Sequence, residues 1–335
     1  MLHDIPQPLS LKLSICISTV DRATLIGETL ESIIAQTTEH CEIVVLDAAS
    51  TDDTERVVMK YAQRVDCLRY IRQERNNGID RDFDRAVELA RGEYCWLMPD
   101  DDLLKPGAVA TVLEALSRDY GLVIVNAEQR NVSMSDVLMD SYLDFTTDRV
   151  YGSADADHLF EASWFLLTYT GSVVIRREIW LARNRARYYE SWFIHVGVIF
   201  QERIPGNTLV IANPLISIRV GNQSWIGKWF EIWRLKWPSV ISSLPVSESA
   251  KRNARADEAW RTFRGLLAVR AYRWYSWTEY RQHIRPRLRS HMAAVSPILV
   301  AMLPVPLARK ILAFRNWLVP GDQLAALVKR ILAGR

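Results

Sequence analysis

The first 130 residues alternate short apolar runs with amphipathic segments, and this alternation constrains the fold more than any other feature of the chain. Strands separated by helices of about 10–15 residues form parallel sheets with right-handed crossovers. We therefore predict an α/β fold with a mostly parallel sheet and flanking helices. Five apolar runs have the length and pattern of strands, at residues 13–17, 42–47, 68–72, 94–98 and 122–126.

The loops that follow these predicted strands are rich in acids, at residues 19–22, at Asp47 and at residues 100–102. In parallel sheets ligands bind beyond the carboxyl ends of the strands. No GxGxxG or GxxxxGK[ST] sequence opens the first helix, so a dinucleotide-binding fold or a P-loop loses its main support. Carboxylates repel phosphate, so a phosphate-bearing ligand would need a divalent cation here. Mg²⁺ and Mn²⁺ prefer such oxygen ligands.

The sequence Pro99-Asp100-Asp101-Asp102 directly follows the apolar run at residues 94–98. In extended backbone Asp100 and Asp102 point to the same side, so together they could hold a metal that bridges a nucleotide diphosphate. A solvated turn that caps the next helix is the alternative, since Asp is common in turns and caps. The position after a buried strand, with Asp47 at the end of another, favours a binding site.

Several motifs within residues 10–130 resemble those of family 2 glycosyltransferases with the GT-A fold. They are SICISTVDRATLIGETLESIIAQ, EIVVLDAASTDDT and NNGIDRDFDRAVELARGEYCWLMPDDDLLKPGA. ERNNGIDRDFDRAVELA and GEYCWLMPDDD are most similar to bacterial O-antigen and surface-polysaccharide transferases of the abequosyltransferase kind. The resemblance implies a Rossmann-like GT-A domain over residues 1–220, with nucleotide-sugar binding at 10–130 and an acceptor part at 131–220. A helical C-terminal region would occupy 221–335.

The resemblance also implies a reaction. A sugar would pass from a nucleotide diphosphate sugar to a carbohydrate hydroxyl by direct displacement with inversion, assisted by Mg²⁺ or Mn²⁺. Two other functions stay open. A sugar-phosphate nucleotidyltransferase would carry a Gly-rich, basic loop after the first strand, whereas this chain has STVDRAT. A noncatalytic carbohydrate-binding protein would keep the fold without needing the metal.

The first two strand ends receive roles from the resemblance. Thr19, Asp21 and Arg22 would line the nucleotide pocket, and Asp47 would hydrogen-bond the pyrimidine base. A strand-end carboxylate can accept a ring N–H, so the chemistry agrees with this role for Asp47. The alternative is that Asp47 begins its loop and caps the next helix.

The later loops receive roles in the same way. Asp100, Asp101 and Asp102 would be the DxD-type element, with Asp100 and Asp101 at the nucleotide sugar and Asp102 and Asp100 at the metal. Arg81 and Asp82 would lie near the diphosphate and donor sugar. Alternatively, Arg81 and Asp82 are surface residues, with Asp82 and Asp84 as acids favoured at a helix N-terminus.

The acceptor half contains TGSVVIRREIW, which resembles the family's Gly-containing strand ending in an Arg pair. YYESWFIHVGVIFQ stands where the family's acceptor helix opens with a Glu-Asp pair whose Asp is the catalytic base, and that pair is absent. The preferred alignment places His195 at the Asp, with Glu190 as the other candidate. His titrates near neutral pH and can take the acceptor's proton. A hydrogen-bonded His on an apolar helix is the alternative.

The charge of the chain is uneven. Residues 1–220 carry 22 Lys or Arg and 33 Asp or Glu, a net charge of −11, whereas residues 221–335 carry 20 and 6, a net charge of +14. Apolar segments at 307–318 and 324–332 predict terminal helices. Four tryptophans recur every four residues on one predicted helix stripe: Trp225, Trp229, Trp233 and Trp237.

Such a basic, Trp-rich region suits an anionic membrane surface, although the stripe could equally pack as core. The acceptor would then be a carbohydrate built on a polyprenyl diphosphate lipid. Nucleic acid is not expected as a partner, because the tail has no helix-turn-helix, zinc-finger or RNP pattern and the acidic body repels polyanions.

Cysteine usage and the termini indicate the compartment. The four Cys show no CxxC spacing, which favours buried thiols in a reducing compartment. MLHDIPQPLSLK lacks a charged leader and an apolar core, so no signal peptide is expected. The longest apolar stretch, 292–306, is broken by three prolines and is shorter than the roughly 20 residues of a membrane span. We therefore expect a cytoplasmic protein, peripheral on the inner face of the cell membrane.

Overall fold

The computed structural model describes residues 11–254, 262–288 and 291–318. The predicted alternation of strand and helix is confirmed. The first half contains β1 (Leu13–Thr19), α1 (Ile26–Ile34), β2 (Cys41–Asp47), α2 (Thr54–Ala62), β3 (Leu68–Arg72), α3 (Ile79–Leu89), β4 (Tyr94–Met98), β5 (Leu103–Leu104), α4 (Ala108–Leu116) and β6 (Leu122–Arg130). Then follow β7 (Val137–Met139), β8 (Arg149–Tyr151), α5 (Ala156–Ser163), β9 (Val173–Arg176), α6 (Arg177–Ala182), α7 (Ile194–Phe200) and β10 (Thr208–Arg219).

Four parallel strands form the nucleotide half of the sheet, in the order β3-β2-β1-β4. β1, β2 and β4 are buried along their whole length, as expected of strands covered by helices on both faces. Because all four run in the same direction, their carboxyl ends meet at one edge. Thr19, Asp47 and the acidic loop after Met98 lie there.

The other half of the sheet is mixed. β9 lies between β4 and β6 and runs antiparallel to both. β10 pairs in parallel with β6 and antiparallel with β5 and β8, with an irregularity between Ile211 and Ile216. Sequence periodicity predicts the strands but not the insertion of β9, because that pairing joins residues about 80 positions apart along the chain. The insertion brings residues 169–172, just before β9, next to the end of β4.

The described chain divides into two compact units. The first contains residues 11–221 and 244–250, and the second contains residues 222–243, 251–254, 262–288 and 291–318. The second unit is helical, as predicted. Its helices are α8 (Trp229–Glu231), a π-helical turn (Ile232–Lys236), α9 (Trp237–Ser243), α11 (Phe263–Ala271), α12 (Trp277–Glu279), α13 (His291–Met302) and α14 (Val305–Leu318), and α10 (Glu248–Lys251) lies at the boundary. The predicted helix at 324–332 lies outside the described residues.

The tryptophan stripe forms core of the second unit. Trp229 and Trp237 are each 2% exposed, and Trp225 and Trp233 are half-buried. The Trp229 ring stacks on Trp274 with centroids 4.0 Å apart, and the Trp237 indole donates to a backbone carbonyl. Arg234, within the same turns, is also buried and packs over the Trp229 ring. The core interpretation of the stripe is therefore the one the structure supports.

Candidate functional site

The acidic loop after β4 carries a charge cluster that faces the end of β1. The Arg22 guanidinium lies between two of its carboxylates, with Nε 3.4 Å from Asp100 and Nη2 3.5 Å from Asp101. Burial and the neighbouring charge of Asp101 raise the pKa of Asp100 to about 7, although Arg22 and the Thr19 hydroxyl oppose the rise. The Arg22 guanidinium thus lies close to two carboxylates of the same loop. The structure brings together four predicted site residues: Thr19, Arg22, Asp100 and Asp101.

Asp102 has different neighbours from Asp100. It is 2% exposed and accepts hydrogen bonds from the backbone N–H of Arg219 at 2.7 Å and from the Tyr169 hydroxyl at 2.8 Å. Burial and the charge of Asp101 raise its pKa well above the ordinary value. Among the described residues, Asp102 thus has hydrogen-bond partners that Asp100 lacks, and a metal contact shared by the two stays a prediction. The backbone turns after β4 rather than continuing extended, and Asp102 anchors the loop to the acceptor half of the sheet.

Asp47 ends β2 and is fully buried. One carboxylate oxygen accepts from the backbone N–H of Ser50 at 2.7 Å, and the other accepts from the Tyr70 hydroxyl at 2.5 Å. The first bond lies within the loop after β2 and not at the N-terminus of α2, which begins at Thr54, so it supports the loop-starting part of the alternative and not the helix cap. Asp47 faces the neighbouring strand β3, where it contacts the side chains of Tyr70 and Arg72. A contact of Asp47 with a base stays a prediction.

Asp21 joins the loops after β1 and β2. It has a left-handed backbone, with φ of 52°, and its exposed carboxylate accepts from the backbone N–H of Thr51 at 2.6 Å. Its own N–H donates to the Ser50 hydroxyl. These bonds fix the two loops relative to each other, so Asp21 shapes the site even without touching a ligand. Its contact with the nucleotide stays a prediction.

The first turn of α3 is also part of this edge. Gln73 donates its backbone N–H to the Asp47 carbonyl and its side-chain amide to Asp82, at 2.7 Å. Asp82 is 2% exposed, and burial raises its pKa. Asp82 is therefore not a surface charge, and the alternative that made it one is wrong. Its position next to the end of β2 is compatible with the predicted place near the diphosphate.

The loop that precedes α7 rests on the same turn of α3. The buried carboxylate of Asp80 accepts from the backbone N–H of Trp192 at 2.8 Å and of Ile194 at 3.0 Å, which satisfies the N-terminus of α7. Arg81 is exposed, with its guanidinium 4.2 Å from the ring centre of Tyr189. These contacts bring the acceptor loop to the carboxyl edge of the nucleotide half.

Glu190 lies within that acceptor loop and is exposed. Its φ is 65°, and Trp192 has a φ of 72°, both in the left-handed region that costs free energy for residues other than glycine. Such strained residues cluster at functional sites, where surrounding contacts hold them. Here the Asp80 carboxylate accepts from the N–H of Trp192, and the Ser191 hydroxyl accepts from the N–H of Phe193. Glu190 is thus an exposed carboxyl two and three residues before the N–H groups that Asp80 and Ser191, respectively, hold.

His195 lies in the interior of α7 and is 1% exposed. Its Nε2 is 2.8 Å from the Leu167 carbonyl, so this nitrogen carries the proton, and Nδ1 is 3.5 Å from the Thr170 hydroxyl. Burial lowers its pKa to about 4, which keeps the ring neutral at physiological pH. The arrangement is that of the hydrogen-bonded, buried histidine considered above. Its catalytic role stays a prediction, and its burial makes Glu190 the better placed candidate.

The buried state of His195 has a testable consequence for stability. Because its folded-state pKa is depressed from 6.5 to about 4, the unfolded chain binds an extra proton between these values, and stability falls as the pH drops through them. We expect this residue to account for about 3 kcal/mol of the loss between pH 7.5 and 4.5. Urea unfolding of His195→Gln at both pH values should show a correspondingly smaller loss. His158→Gln, which changes an exposed histidine, is the control and should behave like the parent.

A divalent cation fits the acidic loop only if a ligand supplies further oxygens. Among the described residues, no group of three or more His, Cys, Asp or Glu side chains is arranged to hold a metal ion. Mg²⁺ is commonly bound by one or two carboxylates together with substrate phosphates. Asp100 and Asp101 match that requirement. Burial and the charge of Asp101 raise the pKa of Asp100, so a cation would relieve the repulsion between the two carboxylates. The predicted metal contact of Asp102 would compete with its two hydrogen bonds.

Four residues of this edge escape sequence reasoning: Tyr70, Asp80, Tyr169 and Arg219. Arg219 donates its backbone N–H to Asp102 and its side chain to the Asp101 carbonyl at 2.9 Å, yet it lies more than 100 positions along the chain. Tyr169 and Asp80 act on residues 67 and 112 positions away. Only Tyr70 had a local indication, because it lies on the strand predicted to follow the one that ends in Asp47.

The sequence is similar to those of known glycosyltransferases. Residues 14–165 match the model of glycosyl transferase family 2. An abequosyltransferase of Salmonella typhimurium is 27% identical over 227 residues, which cover 64% of this chain and 68% of that protein. GalNAc(5)-diNAcBac-PP-undecaprenol beta-1,3-glucosyltransferase of Campylobacter jejuni is 31% identical over 116 residues, or 34% of this chain. The match spans only 38% of the Campylobacter enzyme.

Solved structures show the same fold. The S. aureus protein TarS, residues 1–349 in complex with UDP-GlcNAc, superimposes with a TM-score of 0.57 at 16% identity and covers 96% of this chain and 89% of its own. A mannosyltransferase of Pyrobaculum calidifontis in complex with GDP-Man and Mn²⁺ gives a TM-score of 0.53 at 16% identity, covering 97% and 88%. Residues 14–165 thus form a domain of glycosyl transferase family 2, and the described chain has the predicted GT-A fold.

Proposed function

We propose that this enzyme transfers a sugar from a nucleotide diphosphate sugar to a hydroxyl of a carbohydrate acceptor, with inversion by direct displacement. The acceptor is proposed to be a surface polysaccharide, such as O-antigen, assembled on a polyprenyl diphosphate lipid. The Salmonella relative is named for abequosyl transfer and the Campylobacter relative for an undecaprenyl-linked glycan, and both support this class of product.

The observation that carries the proposal is the cluster at the carboxyl ends of β1 and β4. Arg22 and the carboxylates of Asp100 and Asp101 meet there, and Asp47 ends the adjacent strand. Thr19, Asp21 and Arg22 would line the nucleotide pocket, and Arg81 and Asp82 would flank the diphosphate. A bound diphosphate would attract the positively charged Arg22, whose guanidinium would then move from Asp100 and Asp101 toward the phosphates.

Mg²⁺ or Mn²⁺ is the proposed cofactor, held by Asp100 and Asp101 together with the donor phosphates. When bound, it would neutralise charge on the nucleoside diphosphate leaving group. Asp102 would keep the loop in place through Tyr169 and Arg219. Glu190 is the proposed base that takes the proton of the attacking hydroxyl, with His195 as the alternative. In the proposed transfer, the metal held by Asp100 and Asp101 would neutralise the leaving group, and Glu190 would accept the proton of the acceptor hydroxyl.

The enzyme is further proposed to work in the cytoplasm, on the inner face of the cell membrane, where a lipid-linked acceptor would be reached. The net charge of +14 in residues 221–335 supports attraction to anionic lipid. Nucleic acid is not proposed as a partner.

A thermal-shift screen tests the donor site. We expect one nucleoside diphosphate among UDP, GDP, CDP and TDP to raise the melting temperature, and to do so more strongly with Mn²⁺ than without it. Ligands that bind only the folded state stabilise it by RT ln(1 + [L]/Kd), so a concentration of about 100 times Kd gives roughly 2.7 kcal/mol. A chain that no nucleotide stabilises, with or without metal, would contradict the proposed donor class.

Product analysis separates the proposed reaction from its alternatives. Incubation with nucleotide sugars of the selected nucleoside diphosphate should release that nucleoside diphosphate as the sugar passes to an acceptor hydroxyl or to water. A sugar-phosphate nucleotidyltransferase would instead release pyrophosphate from a nucleoside triphosphate. A noncatalytic carbohydrate-binding protein would release neither product.

A further inference from the structure

The apolar helix α13 leaves one of its faces uncovered. It carries no Asp, Glu, Lys or Arg among its 12 residues. Val300 and Ala301 on its inner side are buried in the core of the second unit, whereas Val295, Leu299 and Met302 are 49%, 60% and 69% exposed. These three lie at i, i+4 and i+7, which is one face of a helix. A helix that is apolar all round belongs in a core or against lipid, and this face is not in the core.

The exposed face continues across a proline corner into α14. Leu303-Pro304-Val305-Pro306 ends α13, because proline disfavours helix at the residue before it. Pro304, Pro306 and Leu307 are exposed, with Leu307 at 46%. In the described residues no single helix suffices to cross a membrane, and the segments Val295–Met302 and Val305–Ala313 meet the length and composition test only together, bent by 110°. The bend gives a corner rather than a straight span.

Two hydrogen bonds from Arg270 and Tyr275 fix the backbone of the corner. Arg270 donates its Nε to the carbonyl of Leu303 at 2.7 Å, and the Tyr275 hydroxyl donates to the carbonyl of Pro297 at 2.9 Å. The first bond satisfies a carbonyl just past the end of α13, and the second ties the middle of the helix to Tyr275. The exposed apolar side chains are therefore presented on a fixed backbone. Lys310 lies exposed on the next turn of α14, so positive charge accompanies the apolar face.

We propose that the α13–α14 corner, defined by Val295, Leu299, Met302, Leu307 and Lys310, is the surface that inserts into an anionic bilayer. The inference rests on the membrane partner proposed above and names the surface that meets it. Apolar side chains buried about 5–10 Å into the headgroup region and basic residues attracted to anionic lipid are the two components of in-plane membrane binding. Trp277, 46% exposed on α12 packed against α13, suits the headgroup zone.

Vesicle flotation of the full chain tests this surface. The vesicles contain phosphatidylcholine and phosphatidylglycerol in equal parts, or phosphatidylcholine alone. The parent should float with the mixed vesicles and more weakly with the neutral ones. The double variant Leu299→Glu, Met302→Glu should bind both at least about tenfold more weakly. Lys310→Glu should lose about tenfold on the mixed vesicles and little on the neutral ones.

Val150→Glu is the matched control, because it places the same charge on a valine that is 54% exposed on β8. It should float like the parent, and every variant should keep the parent's melting temperature and its stabilisation by nucleotide. A double variant that floats like the parent would overturn the proposed surface alone. A parent that floats with neither vesicle would overturn the membrane partner itself. A double variant that changes only the oligomeric mass would show that the corner joins two copies instead.

Discussion

Asp100→Asn is expected to lower turnover at least about a hundredfold while leaving the fold intact. The loss follows because the charge proposed to meet the metal and the donor phosphates is removed, and single electrostatic groups at reacting centres are commonly worth about 10²–10³ in rate. Stability should move the other way. Burial and Asp101 raise the pKa of Asp100 to about 7, so at pH 8 the ionised carboxylate is held at a cost that the neutral amide avoids. The variant's melting temperature without ligand should equal or exceed the parent's.

The measurement is release of nucleoside diphosphate at pH 8 with saturating Mn²⁺, beside a thermal melt of the same samples. Asp66→Asn is the matched control, since it makes the same exchange at an exposed residue before β3, at the opposite edge of the sheet. The control should keep the parent's rate. Turnover of Asp100→Asn within a factor of two of the parent's would remove Asp100 from the site. A rate loss accompanied by unfolding would assign it a purely structural role.

The α/β architecture was predictable because its determinants are local. The runs that end in Thr19, Asp47 and Met98 are short, apolar and bounded by polar loops, and each became a parallel strand buried on both faces. The pairing of β9 was not predictable in the same way. Val173–Arg176 is four residues long, and its place between β4 and β6 is decided by long-range packing rather than by its own pattern.

The candidate site also combines features that the local sequence predicts with features that depend on distant residues. The acids that follow strands were identifiable, since a carboxylate at a strand end is visible in the sequence. The contacts that hold the site together could not be identified from the sequence. Tyr169 and Arg219 bind Asp102, and Asp80 binds the loop before α7, each across more than 60 positions. The predicted pairing of Asp100 with Asp102 assumed extended backbone, whereas the chain bends at residues 100 and 101 and Asp102 accepts hydrogen bonds from Tyr169 and Arg219. The Trp229 stripe was ambiguous for a related reason, because a helical stripe suits a protein core as well as lipid.

Glu190→Gln is expected to reduce turnover by about 10²–10⁴, the range that general base catalysis supplies. Glu190 is exposed on a strained turn that the Asp80 carboxylate fixes, whereas His195 is buried with Nε2 committed to the Leu167 carbonyl. His195→Gln should therefore cost less than about tenfold. Its pKa of about 4 keeps the ring neutral, so its replacement should not move the pH dependence of turnover near neutrality.

The decisive readout is the rate of transfer to acceptor compared with nucleotide binding in the same variants. Glu190→Gln should keep the parent's stabilisation by nucleotide and Mn²⁺, because a base acts on the acceptor hydroxyl and not on the donor's nucleotide. Glu161→Gln, an exposed exchange on α5, should match the parent in both measurements. If His195→Gln instead loses a hundredfold or more while Glu190→Gln stays near the parent's rate, the base is His195. In that case its Nδ1, beside the Thr170 hydroxyl, is the nitrogen left to accept the proton, because Nε2 already donates to Leu167.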